Sequence, residues 1–196
     1  MTQSAAERGR QVRARLRAAA VQLIAERGWS AVSTRAVAER AGVAAGLVHY
    51  HYPSIQALLT EAATTAITEL ATELDALLTG AATPHDGVRS MLAALDGYSG
   101  TDPASLLFAE TYLAANRDDE LRRALTNILA GLRGRLTDWL AGHGVADPAG
   151  TAAVLLATVD GMLLHRPLSP ELTSEKVTAP LSRMIIRNAT TEGDRQ

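Results

Sequence analysis

The chain has 196 residues, of which 47% are hydrophobic and 20% charged, the proportions of a folded chain with room for one ordinary domain or two small ones sharing a core. It contains no cysteine, which excludes a disulfide framework, thiolate-held metal and a thiol nucleophile, and which suits a reducing compartment. The net charge of −2 conceals a division: residues 1–52 carry eight arginines against three acidic residues, or +5, and residues 53–196 carry eleven basic against eighteen acidic, or −7. A basic first quarter on an acidic body is expected where one end of a protein meets a polyanion.

Aromatic residues are only 4%, no segment alternates with period two, and Ala, Leu, Arg and Glu dominate, so the pattern predicts an all-α fold of about nine helices. In chain order, a first helix is expected over 10–27, stopped by Gly28, and a second over 34–41, capped by Ser33. A third of only two turns follows over 44–50, then a long one over 54–78. Further helices are expected over 86–98, 103–116, 118–141 and 148–165, several opened by a capping residue before proline, as at Asp102-Pro103 and Asp147-Pro148. The ninth carries the stripe Val177, Leu181, Met184 and Ile185. It either begins near Thr173 and kinks at Pro180, or starts at Pro180 with Thr178 or Ala179 near its cap. Residues 1–9 and 190–196 are expected to fray. The domain boundary is placed between residues 52 and 53.

The informative segment is residues 31–52, AVSTRAVAERAGVAAGLVHYHY. Two short helices are joined by a tight corner at Ala41-Gly42-Val43, where Gly42 supplies left-handed or crowded backbone. That is the helix-turn-helix pattern, whose second helix enters the major groove of DNA. Spacing alone fits a plain helical hairpin equally well; composition decides between them. Ala44, Ala45 and Gly46 are small enough to let backbone approach a surface. His49, Tyr50 and His51 have little reason to crowd the end of a two-turn helix without a partner, and they can donate to phosphates or meet base edges. Arg35 on the second helix can reach a guanine or a phosphate.

The run over 28–58, GWSAVSTRAVAERAGVAAGLVHYHYPSIQAL, resembles the DNA-binding signature of the TetR family of bacterial transcriptional regulators. The second helix, Ala41-Gly42-Val43, Gly46, Tyr50-His51-Tyr52-Pro53-Ser54 and Leu58 fall in that family's order. The resemblance implies a homodimeric, ligand-responsive repressor: an N-terminal helix-turn-helix domain (1–52) on a C-terminal helical ligand-binding and dimerisation domain (53–196). It implies that Ser33, Arg35, Ala45, Gly46, Leu47, His49, Tyr50 and His51 meet duplex DNA at a palindromic operator. The chain departs from the family at Ile55, where Lys is usual, at Ala45, where Lys or Gln is frequent, at His49, usually Tyr, and at Ala36, where an acidic residue would complete a capping box. Fewer side-chain bonds to bases leave more of recognition to backbone contacts, DNA shape and the arginines of the first helix.

No catalytic motif is present, so an enzyme is not expected. His49 and His51 lie two apart on a helix and face different ways, so neither a metal nor a cofactor is expected. A small apolar or amphipathic effector is expected among Met91, Leu95, Phe108, Tyr112, Trp139 and Met162, with Glu110 and Asp160 as the polar contacts. Leu155, Val159, Leu163, Leu164, Leu181, Met184 and Ile185 exceed the needs of one small core and are expected to meet a second copy, the alternative being that they cover their own subunit. The apolar run Ala152–Leu164 is short for a bilayer and contains Asp160, and no targeting segment is seen, so a cytoplasmic protein without a membrane partner is expected. The competing class is a helical small-molecule-binding or protein-interaction module whose helix-turn-helix is vestigial.

Overall fold

The computed structural model describes residues 4–189, and side chains over 4–183. The described residues form nine α-helices: α1 Ala5–Arg27, α2 Thr34–Ala41, α3 Ala45–His51, α4 Ile55–Thr79, α5 Pro84–Ala94, α6 Pro103–Ala115, α7 Asp119–Gly142, α8 Pro148–His165 and α9 Ser174–Ala189. Short 3₁₀ turns occur at Trp29–Ala31 and Leu95–Gly97.

The helix ends follow local chemistry. Of residues 1–9, expected to fray, 1–3 lie outside the described residues and 5–9 are helical: the Ser4 hydroxyl accepts the Glu7 N–H at 3.2 Å while the Glu7 carboxylate accepts the Ser4 N–H at 2.8 Å, a reciprocal cap that starts α1 at Ala5. Thr83 caps α5 by accepting the Asp86 N–H at 3.1 Å, so that helix opens at Pro84 and its far end tightens into the 3₁₀ turn at Leu95–Gly97. The third helix begins one residue later than expected, with Ala44 as its cap and no side-chain bond there. α9 runs continuously from Ser174 through Pro180, where the ring removes the N–H that would have met the carbonyl one turn back. Residues 190–196, expected to fray, lie outside the described residues.

The chain forms two compact units, residues 1–67 with 106–125, and residues 68–105 with 126–196. The first therefore extends past residue 52 and takes in most of α6 and the start of α7. Its core is laid down by α1, where Leu16, Ala19, Ala20, Leu23 and Ile24 are buried, against Val37, Ala38 and Ala41 of α2. Alanines on facing sides let these helices approach closely. Gly42 ends α2 at φ 64, with the Val43 N–H returning to the Ala38 carbonyl at 3.0 Å, the left-handed cap that turns the chain into α3.

The second unit is built from the second half of α4, α5, α8, α9 and the greater part of α7. Met91, Leu92 and Leu95, Leu136 and Leu140, and Ala152, Leu155, Val159, Met162 and Leu163 are buried in it. Trp139 lies so close to α5 that a Cβ on Gly87 would stand 2.5 Å from its ring, so glycine is required by packing there. Arg166, just past α8, is 8% exposed. Its guanidinium donates to the Leu95 and Tyr98 carbonyls and to Asp96 at 3.0 Å, and Asp96 also accepts the Ser174 N–H at 3.1 Å. Burial would push the Asp96 carboxyl up, but the bonds from Ser174 and the charge of Arg166 hold it below the usual range.

α8 extends beyond the apolar run Ala152–Leu164, and at 18 residues with mean hydropathy 1.2 it is long and apolar enough to cross a membrane by length and composition only. Ala152, Leu155, Val159, Met162 and Leu163, 28% of the helix, are buried within the protomer.

Candidate nucleic-acid interface

α3 is held by little and shows much. Of its seven residues only Val48 is fully buried. Tyr50 is 80% exposed and Leu47 37%, and Ala45, Gly46 and His49 are exposed beside them. Gly46 has an ordinary helical φ, and a Cβ added to it would meet nothing within 4 Å. The fold itself therefore does not require glycine at 46, unlike at 42, where the backbone is left-handed.

Ser33 and Arg35 are exposed at the start of α2. The Ser33 hydroxyl accepts the Ala36 N–H at 3.3 Å, half of a capping box, as expected with alanine at 36. His51 is half-buried. Its ring meets Tyr50 edge-on at 5.0 Å, and its Cε1 lies 3.9 Å from where a Cβ on Gly9 would stand, so it lies beside α1.

Seven of the eight arginines in residues 1–52 divide into two groups. Arg13 and Arg17, one turn apart on α1, both donate to Glu61 of α4, Arg17 at 3.1 Å, and the Tyr52 hydroxyl donates to the same carboxylate at 3.1 Å. The Arg13 guanidinium also sits over the Tyr52 ring, 5.0 Å from its centre. Burial works to raise the Glu61 pKa, yet the three donors hold it below the carboxylate range, and burial pushes the Tyr52 phenol up. Arg40 grips Glu26 with both guanidinium nitrogens, at 2.8 and 2.7 Å, and adds Gln22 at 3.2 Å; its bond to Glu26 lowers that carboxyl's pKa. Arg8, Arg10, Arg15 and Arg35 are exposed and form no ion pair among the described residues. Sequence reasoning missed Glu61. No local signal marks it, since the arginines that hold it stand 48 and 44 residues away on α1.

A second junction lies before α2. Gly28 takes φ 81, and the Trp29 N–H that follows donates to Glu110 of α6 at 2.8 Å. The Trp29 indole N–H donates to Gln56 of α4 at 3.0 Å. A cleft of about 500 Å³ opens beside these residues, lined also by Ser30, Leu113, Ala114, Arg117 and Asp118.

This arrangement, a short exposed helix after a glycine corner on a three-helix core, can be set beside known proteins. The profile of bacterial regulatory proteins of the tetR family matches residues 16–62, and that of the tetracyclin repressor-like C-terminal domain matches residues 82–188. The chain belongs to the TetR family. Its fold and length follow those of the transcriptional regulator SCO7518 from Streptomyces coelicolor A3(2), with 32% identity, a TM-score of 0.70, and 92% of this chain and 99% of that one covered. They also follow a regulator from Rhodococcus sp. Rha1, with 28% identity, a TM-score of 0.74, and 90% and 95% covered. Among curated relatives, the HTH-type transcriptional regulator BetI of Rhizobium meliloti is 28% identical over 168 residues, spanning 84% of this chain and 82% of that one. TetR-family members are ligand-responsive, DNA-binding transcriptional regulators that act as dimers, not enzymes.

The residues expected to hold an effector fall in both units of this TetR-family chain. Met91, Leu95 and Met162 are buried in the second, and Trp139 packs there against Gly87. Asp160 lines a cleft of about 220 Å³ with Leu129, Arg133, Ala153, Leu156 and Ala157. Phe108 and Tyr112, with ring centres 4.7 Å apart, and Glu110 belong to the first unit. Of the residues expected at a subunit contact, Leu155, Val159, Leu163 and Leu181 are buried within one protomer at 7% exposure or less, while Leu164 is 49% exposed. The side chains of Met184 and Ile185 lie outside the described residues.

Proposed function

We propose that this TetR-family protein is a cytoplasmic homodimeric repressor without a membrane partner. Two copies of α3 enter successive major grooves of an inverted-repeat operator, about 34–36 Å apart. The observation that carries the reading is α3 itself: one buried residue, Val48, and a surface of Gly46, Leu47, His49 and Tyr50 that the protein's own packing does not use. Ala45 and Gly46 allow close approach to the duplex, Tyr50 and His49 meet phosphates or bases, Arg35 and Ser33 reach from α2, and His51, beside α1, faces the backbone. Arg8, Arg10, Arg15 and Arg35 neutralise phosphates. Eight such groups per dimer give a salt dependence with a log–log slope of about −7 if all engage.

A small apolar or amphipathic effector in the C-terminal helices, touching some of Met91, Leu95, Phe108, Tyr112, Trp139, Met162, Glu110 and Asp160, releases the DNA by favouring a conformer that no longer fits both grooves. The second copy meets the face of α8 that the protomer leaves open. Ala153, Ala157 and Leu164 repeat there at helical spacing beside Val154, and Leu168 beyond the helix is 84% exposed. Leu155, Val159, Leu163 and Leu181 stand behind that face as its support.

The deciding experiment presents the purified protein with random-sequence duplexes and sequences the bound fraction across a salt series. An enriched inverted repeat, lost in Tyr50→Ala with Arg35→Ala, is expected. Weak binding with no enriched sequence would leave instead a helical binding module with a vestigial helix-turn-helix.

A further inference from the structure

The chain leading into α2 is gripped from two sides. Trp29 opens a 3₁₀ turn; its backbone N–H is held by Glu110 of α6 at 2.8 Å and its indole N–H by Gln56 of α4 at 3.0 Å. At Gly28 the φ is +81, and a Cβ there would stand 3.2 Å from the Glu110 carboxylate. The carboxylate is therefore seated where the backbone is left-handed and a side chain would crowd it. Trp29 is only 8% exposed, so the turn cannot slide without repacking its ring. Ser33, four residues on, is already the cap of α2, and Val32 between them is buried, so the turn and the start of α2 are joined by a short, packed connection.

We propose that Glu110 is a positioning residue for operator recognition: its bond to the Trp29 N–H ties the placement of the turn, and through it α2 and α3, to the placement of α6. Among the residues expected to contact an effector, Glu110 thus already has a partner in the DNA-binding unit. A charge-assisted bond is short and directional and is lost when its groups separate by little more than an ångström. A shift of α6 therefore exchanges a held turn for a released one. The adjacent cleft of about 500 Å³, bordered by Leu113 and Ala114 on α6, leaves space on that side of the helix. Coupling of this kind is reciprocal, so DNA held on α3 must in turn steady α6.

The inference rests on the DNA-binding reading, and hydrogen exchange separates the two. The inverted-repeat duplex recovered by selection is added to the full-length protein, and amide exchange is followed over α3 and over α6. In the wild type, exchange is expected to slow in both. In Glu110→Ala, and in Glu110→Asp, which keeps the charge but is one methylene too short, α3 is still protected, protection of α6 is lost, and operator affinity falls about tenfold. Glu110→Gln, whose amide oxygen still accepts, restores protection of α6. Should Glu110→Ala not fold, the contrast between Glu110→Asp and Glu110→Gln carries the same test. Protection of α6 equal in Glu110→Asp and wild type, or absent in the wild type while α3 is protected, overturns the coupling and leaves the DNA-binding reading standing. No protection of α3 by any duplex overturns that reading, and the coupling with it.

Discussion

α3 and α8 are alike in composition and opposite in use. Both are poor in charge and rich in small and apolar residues. α3 buries Val48 and exposes the rest but for His51, whereas α8 buries Ala152, Leu155, Val159, Met162 and Leu163. The core of its own unit accounts for the buried stripe of α8; it does not account for Tyr50 at 80% exposure or for a glycine at 46 with nothing near it. A residue type that the fold does not need is the one that points to a partner. On α8 that description falls on the exposed strip of Ala153, Val154, Ala157 and Leu164.

The contrast can be broken most forcefully at Leu155, which is 1% exposed. Leu155→Ala should destabilise the protein by about 2–4 kcal/mol, through lost burial and the cavity left behind. Leu164→Ala should leave the protomer within about 0.5 kcal/mol of wild type and instead weaken self-association. Urea unfolding with sedimentation separates the two, and equal losses of stability would erase the distinction between inner and outer faces. At the other helix, Tyr50→Ala combined with Arg35→Ala should lower operator affinity by roughly 100-fold with no change in unfolding midpoint, since both side chains are exposed. A fall in stability of the double variant would mean that α3 is part of the core after all.

Glu61 stands between these extremes, because it serves the fold and the placement of α3 together. Glu61→Ala removes the acceptor for Arg13, Arg17 and Tyr52 and should cost about 1–2 kcal/mol, discounted for partial exposure. Because the folded carboxyl titrates below its ordinary range, its contribution is fully present above the unfolded value of about 4.3 and is lost as pH falls through the lower folded value. Acid unfolding curves of wild type and Glu61→Ala should therefore converge as pH falls through that lower folded value, and parallel curves would rule out an ionised Glu61 as the holder. The smallest effect sharpens the comparison most. Gly46→Ala should raise stability by about 0.5–1 kcal/mol, the ordinary helix preference for alanine, while weakening operator binding. A variant both more stable and equally tight would show that glycine at 46 serves nothing outside the chain.

Much of this was legible in advance for local reasons. The Ser33 cap, the left-handed Gly42 and the start of α8 at Pro148 depend on residues within one turn of each other, and they stand where expected. The start of α1 was legible in the same way, since Ser4 and Glu7 form a capping box, but the expectation that chain ends fray outweighed it. Glu61 and Glu110 were not legible. One reads as an ordinary helix acid and the other as a polar tip in an apolar helix, and nothing near either in sequence announces its partner.

By itself the sequence determined the helical class, most helix ends and the family signature from Gly28 to Leu58, because caps, glycine corners and apolar periodicity act over a few residues. The tertiary structure alone decided which apolar faces the protomer keeps for itself and which carboxylates are engaged. Arg17 meets Glu61 across 44 residues and Trp29 meets Glu110 across 81. Periodicity states that a face must be covered, while only the packed chain states by what, since burial is settled by bodies brought together from distant parts of the sequence.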